Sequence, residues 1–240
     1  MPFFESNDAR IHYEVAGQGE PVFTIAPGGM RSAHELWEGQ PWDPRQLAAD
    51  YTVIGMDQRN AGRSTAPVSG QDGWHTYAAD QLAILDHLGV EKCHVIGMCI
   101  GGPYITGLLR AAPERFASAV LLQPVGIDDN RAEMRAMFDD WASKIIDDHP
   151  EAAPADWEQF RSNMWDGEFV LTATPRDVAA MSTPMLVAMG NDVFHPAATS
   201  RQIAELAPNA QLIEHWREPE HVRSTDSTIR AFLAAHALST

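Results

Sequence analysis

The run Gly97-Met98-Cys99-Ile100-Gly101-Gly102 sets a cysteine between glycines two residues to either side, where an apolar run gives way to a helical one. A nucleophile on such a sharp strand-to-helix turn projects at the top of a sheet, and the strained turn needs neighbours without side chains. The helix that follows brings its positive end and free amides beside the sulfur, which favours thiolate over thiol. An unperturbed thiol of pKa about 8.5 is only about 3% ionised at pH 7, so lowering it to about 7 raises the thiolate population roughly 15-fold. That is far short of an enzyme's rate enhancement, and a base and an oxyanion site must supply the rest. The competing reading of Cys99, a buried cysteine acting as a small hydrophobe, is disfavoured by the flanking glycines.

The elements that would position this turn are short apolar runs at residues 22–26, 52–56, 94–98, 118–122 and 185–189, most of them with β-branched residues. Such runs read as strands buried on both faces, as in a parallel sheet. Helical segments are predicted over 77–88, closed by Leu88-Gly89, and over 103–112, ended by Pro113. Strands are also predicted at 10–15, on an antiparallel edge hairpin, and at 211–216, with a last helix over 224–236. This alternation predicts an α/β fold with a mostly parallel doubly wound sheet. Residues 127–183 break the pattern, with no strand candidate better than 169–171. Met134, Met137, Phe138, Trp141 and Ile145 make one helical stripe, Trp157, Phe160, Met164 and Trp165 another, and Thr174-Pro175 with Asp177 resembles a third helix start. The expectation is one domain over residues 1–240 with a helical cap insertion at about 127–183.

Composition narrows the classes of partner. The 240 residues carry 33 acidic and 17 basic side chains, a formal charge of −16 with no compensating basic stretch, which argues against nucleic acid. Two cysteines cannot build a disulfide framework, and Cys93 reads as core filler too far along its strand from Cys99 to pair with it. No run is apolar and long enough for a membrane span, and the N-terminus lacks the form of a secretory signal. A cytoplasmic protein acting on a small molecule is expected. The run from Glu214 to His221 lacks metal-site spacing, and no phosphate-binding glycine pattern occurs, so neither metal nor cofactor is predicted.

These features together resemble the α/β-hydrolase superfamily. The resemblance rests on the elbow GMCIGG, on Asp57-Gln58-Arg59-Asn60-Ala61-Gly62-Arg63-Ser64, which is similar to the family's D-Q-R-G-x-G-x-S, and on order along the chain. Serine is the family's usual nucleophile. Cysteine with a double glycine is similar to the dienelactone hydrolase elbow, while the D-Q-R turn resembles the lactonase, esterase and haloperoxidase branch. The family's order of nucleophile, acid and histidine implies Cys99, Asp192 after the strand at 185–189, and His221 before the last helix. His215, at the end of the predicted strand 211–216, is the rival base. His195 is read as a packing or hydrogen-bonding neighbour. The resemblance also implies an oxyanion hole from the amide of Ile100 and from Ala26-Pro27-Gly28-Gly29-Met30, with Gly29 preferred to Gly28.

Other assignments are less specific. Asp57 to Ser64 reads as a turn stabiliser, with Asn60 tolerating left-handed geometry. Met30 and Arg31 beside the oxyanion loop, and Trp141 and Trp165 in the cap, are candidate substrate contacts. An apolar cap face serves equally as a pocket wall or a homodimer contact. The function implied is hydrolysis of a small ester or lactone by a Cys-His-Asp triad through a thioester. Acyl transfer through the same thioester, and ligand binding without catalysis, are the alternatives.

Overall fold

The computed structural model describes residues 2–6 and 8–238. Its centre is an eight-stranded sheet in the order β1-β2-β4-β3-β5-β6-β7-β8, built from β1 (Phe3–Ser6), β2 (Ala9–Ala16), β3 (Pro21–Ile25), β4 (Thr52–Met56), β5 (Cys93–Met98), β6 (Phe116–Leu122), β7 (Met185–Ala188) and β8 (Ala210–Ile213). The pairs β1·β2 and β2·β4 are antiparallel, and the other five pairs are parallel. This is the α/β-hydrolase fold.

The strand runs are apolar without alternation because both faces of the sheet are covered. Along β5, Cys93 and Val95 join one apolar cluster while Ile96 and Met98 join the other. Residues Ala119 and Leu121 of β6, and Met185 and Val187 of β7, point to the first cluster; their neighbours Val120, Leu122, Leu186 and Ala188 point to the second. Helices α1 (Trp74–His87) and α2 (Gly101–Ala111) cover the first face, and α7 (Val222–Ala235) covers the second. Helix α1 stops at Gly89, whose φ of 68° lets Val90 N–H close back onto the Leu85 carbonyl. Cys93 is fully buried and its thiol is pushed up to about 12 by that burial, as suits core packing.

Between β6 and β7 lie α3 (Arg131–Ile145), α4 (Pro154–Trp165) and α5 (Pro175–Ala180). Thr174 caps α5: its hydroxyl accepts from Asp177 N–H while the Asp177 carboxylate accepts from Thr174 N–H. The buried faces of α3 and α4, including Met134, Phe138, Trp141, Trp157, Phe160 and Trp165, merge with the first cluster. Residues 169–171, the best strand candidate in this stretch, form no strand, because Phe169 and Leu171 both take positive φ in a turn. Helix α6 (Ala197–Leu206), unanticipated in the sequence, joins β7 to β8. Strand β8 ends at Ile213, so His215 lies beyond it.

The Asp57 turn does what its residues imply. Asp57 accepts from the backbone N–H groups of His34 (2.8 Å) and Arg63 (2.9 Å), and Ser64 Oγ donates to the Asp57 carbonyl at 2.8 Å. Asn60 takes a φ of 56°, in the left-handed region it tolerates. Arg59 is buried against Asp80, with Nε to carboxylate at 2.8 Å, and also meets Asp72 and Asp8 at 3.4 Å.

Candidate active site

Cys99 stands at the C-terminal end of the central strand β5 with φ at 60°, the strained left-handed region that a non-glycine residue enters rarely. The turn is over-determined. Cys99 N–H donates to the Leu122 carbonyl at 3.0 Å, and the Cys99 carbonyl accepts from Gly102 and Val125 N–H groups, both at 3.0 Å. A Cβ at Gly97 would come within 2.9 Å of Gly101 Cα, and one at Gly102 within 2.4 Å of Pro124 Cβ. These glycines are required by close approach of backbones. Cys99 is partly buried and packs against both apolar clusters at once.

The imidazole brought to Cys99 is that of His195. It lies in the loop between β7 and α6 and is buried. Asp192 Oδ1 accepts from His195 Nδ1 at 2.7 Å, from His195 N–H at 3.1 Å and from Phe194 N–H at 3.0 Å. That bond assigns the Nδ1–H tautomer to the neutral ring and leaves Nε2 for the sulfur. Nε2 makes no hydrogen bond of ordinary geometry with the described residues, yet the ring lies close enough to the sulfur for both hydrogen bonding and charge to act between them.

The electrostatics follow from this packing. Burial alone would push the Cys99 thiol up, but the His195 imidazolium and the amides of Gly28 and Ile100 outweigh it and hold the thiol below its ordinary value. Burial would likewise lower His195, yet the Cys99 thiolate and the Asp192 carboxylate raise it. Desolvation of Asp192 is overcome by His195 and the two loop amides, and its carboxyl is lowered. The thiol is shifted down and the imidazole up, the directions that ease proton transfer from sulfur to ring.

His221 is not the ring at the sulfur, and the expected geometry is corrected here. It sits at the N-cap of α7, stacked on His215 with ring centroids 5.6 Å apart. The reason lies in the short β8: the chain leaves the sheet at Ile213, and Trp216 is buried with its Nε1 donating to the Met189 carbonyl at 2.9 Å. Arg217 then occupies the space beside the acid. It donates to Gln123 Oε1 at 2.7 Å and to Asn191 Oδ1, and stands 3.9 Å from Asp192 Oδ2. His215 is exposed and does not point into a sheet face.

The loop after β3 brings Gly28, the alternative to the preferred Gly29, to the sulfur. The amide that reaches the Cys99 sulfur together with that of Ile100 belongs to Gly28 and not to Gly29. Gly28 has φ at 115°, and a short helical turn from Gly29 to Arg31 follows it. Gly29 lies instead beneath α3, where a Cβ would meet Met137 Sδ at 2.5 Å. Met30 is buried and Arg31 is exposed. Trp141 and Trp165 are buried in the aromatic layer under the cap helices.

Sequence reasoning therefore missed His195 as the partner of Cys99, along with Arg217, and ranked Gly28 behind Gly29. The available signal for His195 was the Asp-x-x-His step before Pro196, which is also the pattern of an ordinary Asx turn. Among the described residues no group of three or more metal-ligating side chains could hold an ion, and no helix is long and apolar enough to cross a membrane.

The profile of the alpha/beta hydrolase fold family matches residues 21–168. A protein from Azorhizobium caulinodans provisionally named carbamate hydrolase RutD is 36% identical over 51% of this chain and 44% of its own length. A protein from Synechocystis provisionally named a non-heme chloroperoxidase is 32% identical over 62% of this chain and 55% of its own. The chain thus spans about half the length of these curated relatives. The enol-lactonase of Burkholderia xenovorans superposes with a TM-score of 0.71 at 19% identity, over 97% of this chain and all of that one, a likeness of fold.

Proposed function

The chain belongs to the α/β-hydrolase family of hydrolases, and from that premise we propose that it cleaves a small ester or lactone with Cys99 as nucleophile, His195 as base and Asp192 as the group that orients the base. The observation that carries the reading is the 2.7 Å hydrogen bond from His195 Nδ1 to Asp192 Oδ1, on a ring that acts on the Cys99 thiol and helps to lower it. Names of relatives that refer to carbamate hydrolysis and to an enol-lactone agree with attack at an acyl carbon.

In the proposed reaction the thiolate adds to the carbonyl carbon, and the amides of Gly28 and Ile100 take the developing oxyanion. The carbonyl re-forms as the C–O bond to the leaving alkoxide breaks, and His195 Nε2 gives that alkoxide its proton. A thioester on Cys99 remains. Neutral His195 then takes a proton from water, the hydroxide adds to the thioester, and collapse releases the acid and regenerates the thiolate and imidazolium. Asp192 stays ionised throughout and stabilises the charged ring.

The test is intact-protein mass spectrometry after mixing with activated acyl esters. An acyl adduct on Cys99, and loss of turnover in Cys99→Ala, are expected. Unchanged turnover in Cys99→Ala overturns the reading; tight binding of esters with no turnover by the wild type favours a receptor. Transfer to added alcohols or amines that outruns hydrolysis makes the protein an acyltransferase.

A further inference from the structure

Arg217 ties together the strand exits around the nucleophile and the acid. Its Nη1 donates to Gln123 Oε1 at 2.7 Å and stands 3.9 Å from Asp192 Oδ2, while its Nη2 donates to Asn191 Oδ1. Gln123 leaves β6 with φ at 40°, and its N–H donates to the Ala188 carbonyl at the end of β7 at 2.8 Å. The residue before it, Leu122, accepts from the Cys99 N–H at 3.0 Å. One guanidinium thus joins the strand exit that braces the elbow to the loop that carries the acid. Its backbone is held in place by its neighbour, because Trp216 is buried with Nε1 on the Met189 carbonyl at 2.9 Å and its own carbonyl accepts from Thr225 Oγ1 at 2.9 Å.

The two oxygens of Asp192 are used differently. Oδ1 accepts from His195 Nδ1 and from the amides of Phe194 and His195, whereas Oδ2 faces Arg217. A carboxylate with no other charge beside it would hold an imidazolium proton firmly, and a cation on its second oxygen offsets part of that attraction. The charges that act on His195 directly are those of Cys99 and Asp192. Around them, Arg201 of α6 pairs with Glu214 at 2.7 Å, and Glu218 is met by the Arg217 backbone amide and by the charges of His215 and His221. Arg217 is therefore the cation placed to act on the acid. Its side chain is 29% exposed and that of Asp192 41%, so water and salt screen the pair and its effect is modest.

We propose that Arg217 is a positioning residue for the acid and base: it clamps the loop of Asp192 to the strand exit behind Cys99 and sets a fixed positive charge by the second carboxylate oxygen. Asp192 then orients His195 without over-holding the proton that the ring must give to the leaving group. This deepens the reading of Cys99, His195 and Asp192 as the reacting groups and rests on it. Arg217 acts through the acid and touches no reacting atom.

The test follows the His195 ring by NMR as pH is raised, in the Cys99→Ala background, where it titrates without the sulfur. Removing the charge, in Arg217→Met, should raise the titration midpoint by about 0.3–1 pH unit, because loss of a nearby cation lets the imidazolium keep its proton longer. Arg217→Lys, which keeps the charge without the guanidinium fork, should stay within about 0.2 unit of its Arg217 parent. High salt should shrink the Arg217→Met shift. With Cys99 present, the alkaline limb of kcat/KM for phenyl butanoate, whose phenoxide leaves with the help of a proton, should move the same way in Arg217→Met and return in Arg217→Lys. A midpoint that stays in place in Arg217→Met overturns the proposal, as does an equal displacement in Arg217→Lys. A lower rate with both the midpoint and the limb unmoved marks a merely structural contact and also overturns it. If Cys99→Ala hydrolyses the ester as fast as the wild type, the nucleophile reading fails, and the NMR midpoints still decide the role of Arg217 on their own.

Discussion

At the scale of single residues, the choice between two histidines decides how the protein works. His195 shares its loop with the acid and interacts with the sulfur, whereas His221 stacks on His215 at the start of α7. His195→Ala should therefore lower kcat/KM by a factor on the order of 1,000 or more, as loss of a triad base does. His221→Ala should stay within a few-fold of the wild type, and ester hydrolysis by the two variants checks both. The shifted thiol makes a second claim. Because Cys99 is held below the ordinary thiol value, thiolate persists as pH falls through about 8.5, and iodoacetamide should alkylate it at neutral pH. His195→Ala removes the imidazolium, and the midpoint of the alkylation profile should move upward. Turnover should trace a bell: the acid limb follows protonation of the thiolate, and the alkaline limb follows loss of the imidazolium proton, which His195 retains to higher pH than an ordinary histidine. The sharp turn at Cys99 was legible in the sequence, because glycines two residues to either side at the end of an apolar run mark a close approach of backbones. His195 was not, because Asp-x-x-His in a turn looks the same whether it orients a base or merely closes a loop.

At the scale of elements, the double glycine and the caps bear most directly on whether the site holds its shape. Gly102→Ala would press a methyl group to 2.4 Å from Pro124 Cβ, a contact the rigid ring cannot yield to cheaply. It should destabilise the protein by about 1–3 kcal/mol in denaturant melts and disturb the Cys99 turn as well. Thr174→Ala, far from the chemistry, should cost about 1 kcal/mol through loss of the α5 cap with activity unchanged. The strands from β3 to β7 were readable because burial on both faces demands continuous apolar runs. Helix α6 was not, since only Ile203 and Leu206 among its ten residues are large and apolar, too few to mark a buried stripe. Strand β8 was read too long, because Trp216 is buried like a strand residue although the chain has already left the sheet after Ile213 and exposes Glu214 and His215. The expected base came instead from the family's order along the chain, which places the histidine in the loop before the last helix.

At the scale of the whole molecule, the −16 charge coexists with a buried cation that the fold depends on. Arg59 lies 3% exposed between Asp80 and Asp72. Asp80→Asn would leave that guanidinium short of its nearest counter-charge and should destabilise the protein by about 3–5 kcal/mol, read as a lower midpoint of thermal or denaturant unfolding. Arg45, by contrast, is a surface partner of Asp43, and its removal should change stability by less than about 1 kcal/mol. The placement of Asp192 and His195 three residues apart has a consequence for how such a site can be inherited. With acid and base on one loop, their spacing does not depend on the register of β8 or on the length of the connection to α7. The stretch from Gly190 to Pro196 is thus a contiguous cassette: one short deletion would erase two of the three chemical groups, and one short graft could carry them to the same edge of another sheet. On the proposed assignment the C-terminal strand and helix supply no catalytic histidine, and packing alone constrains their sequence.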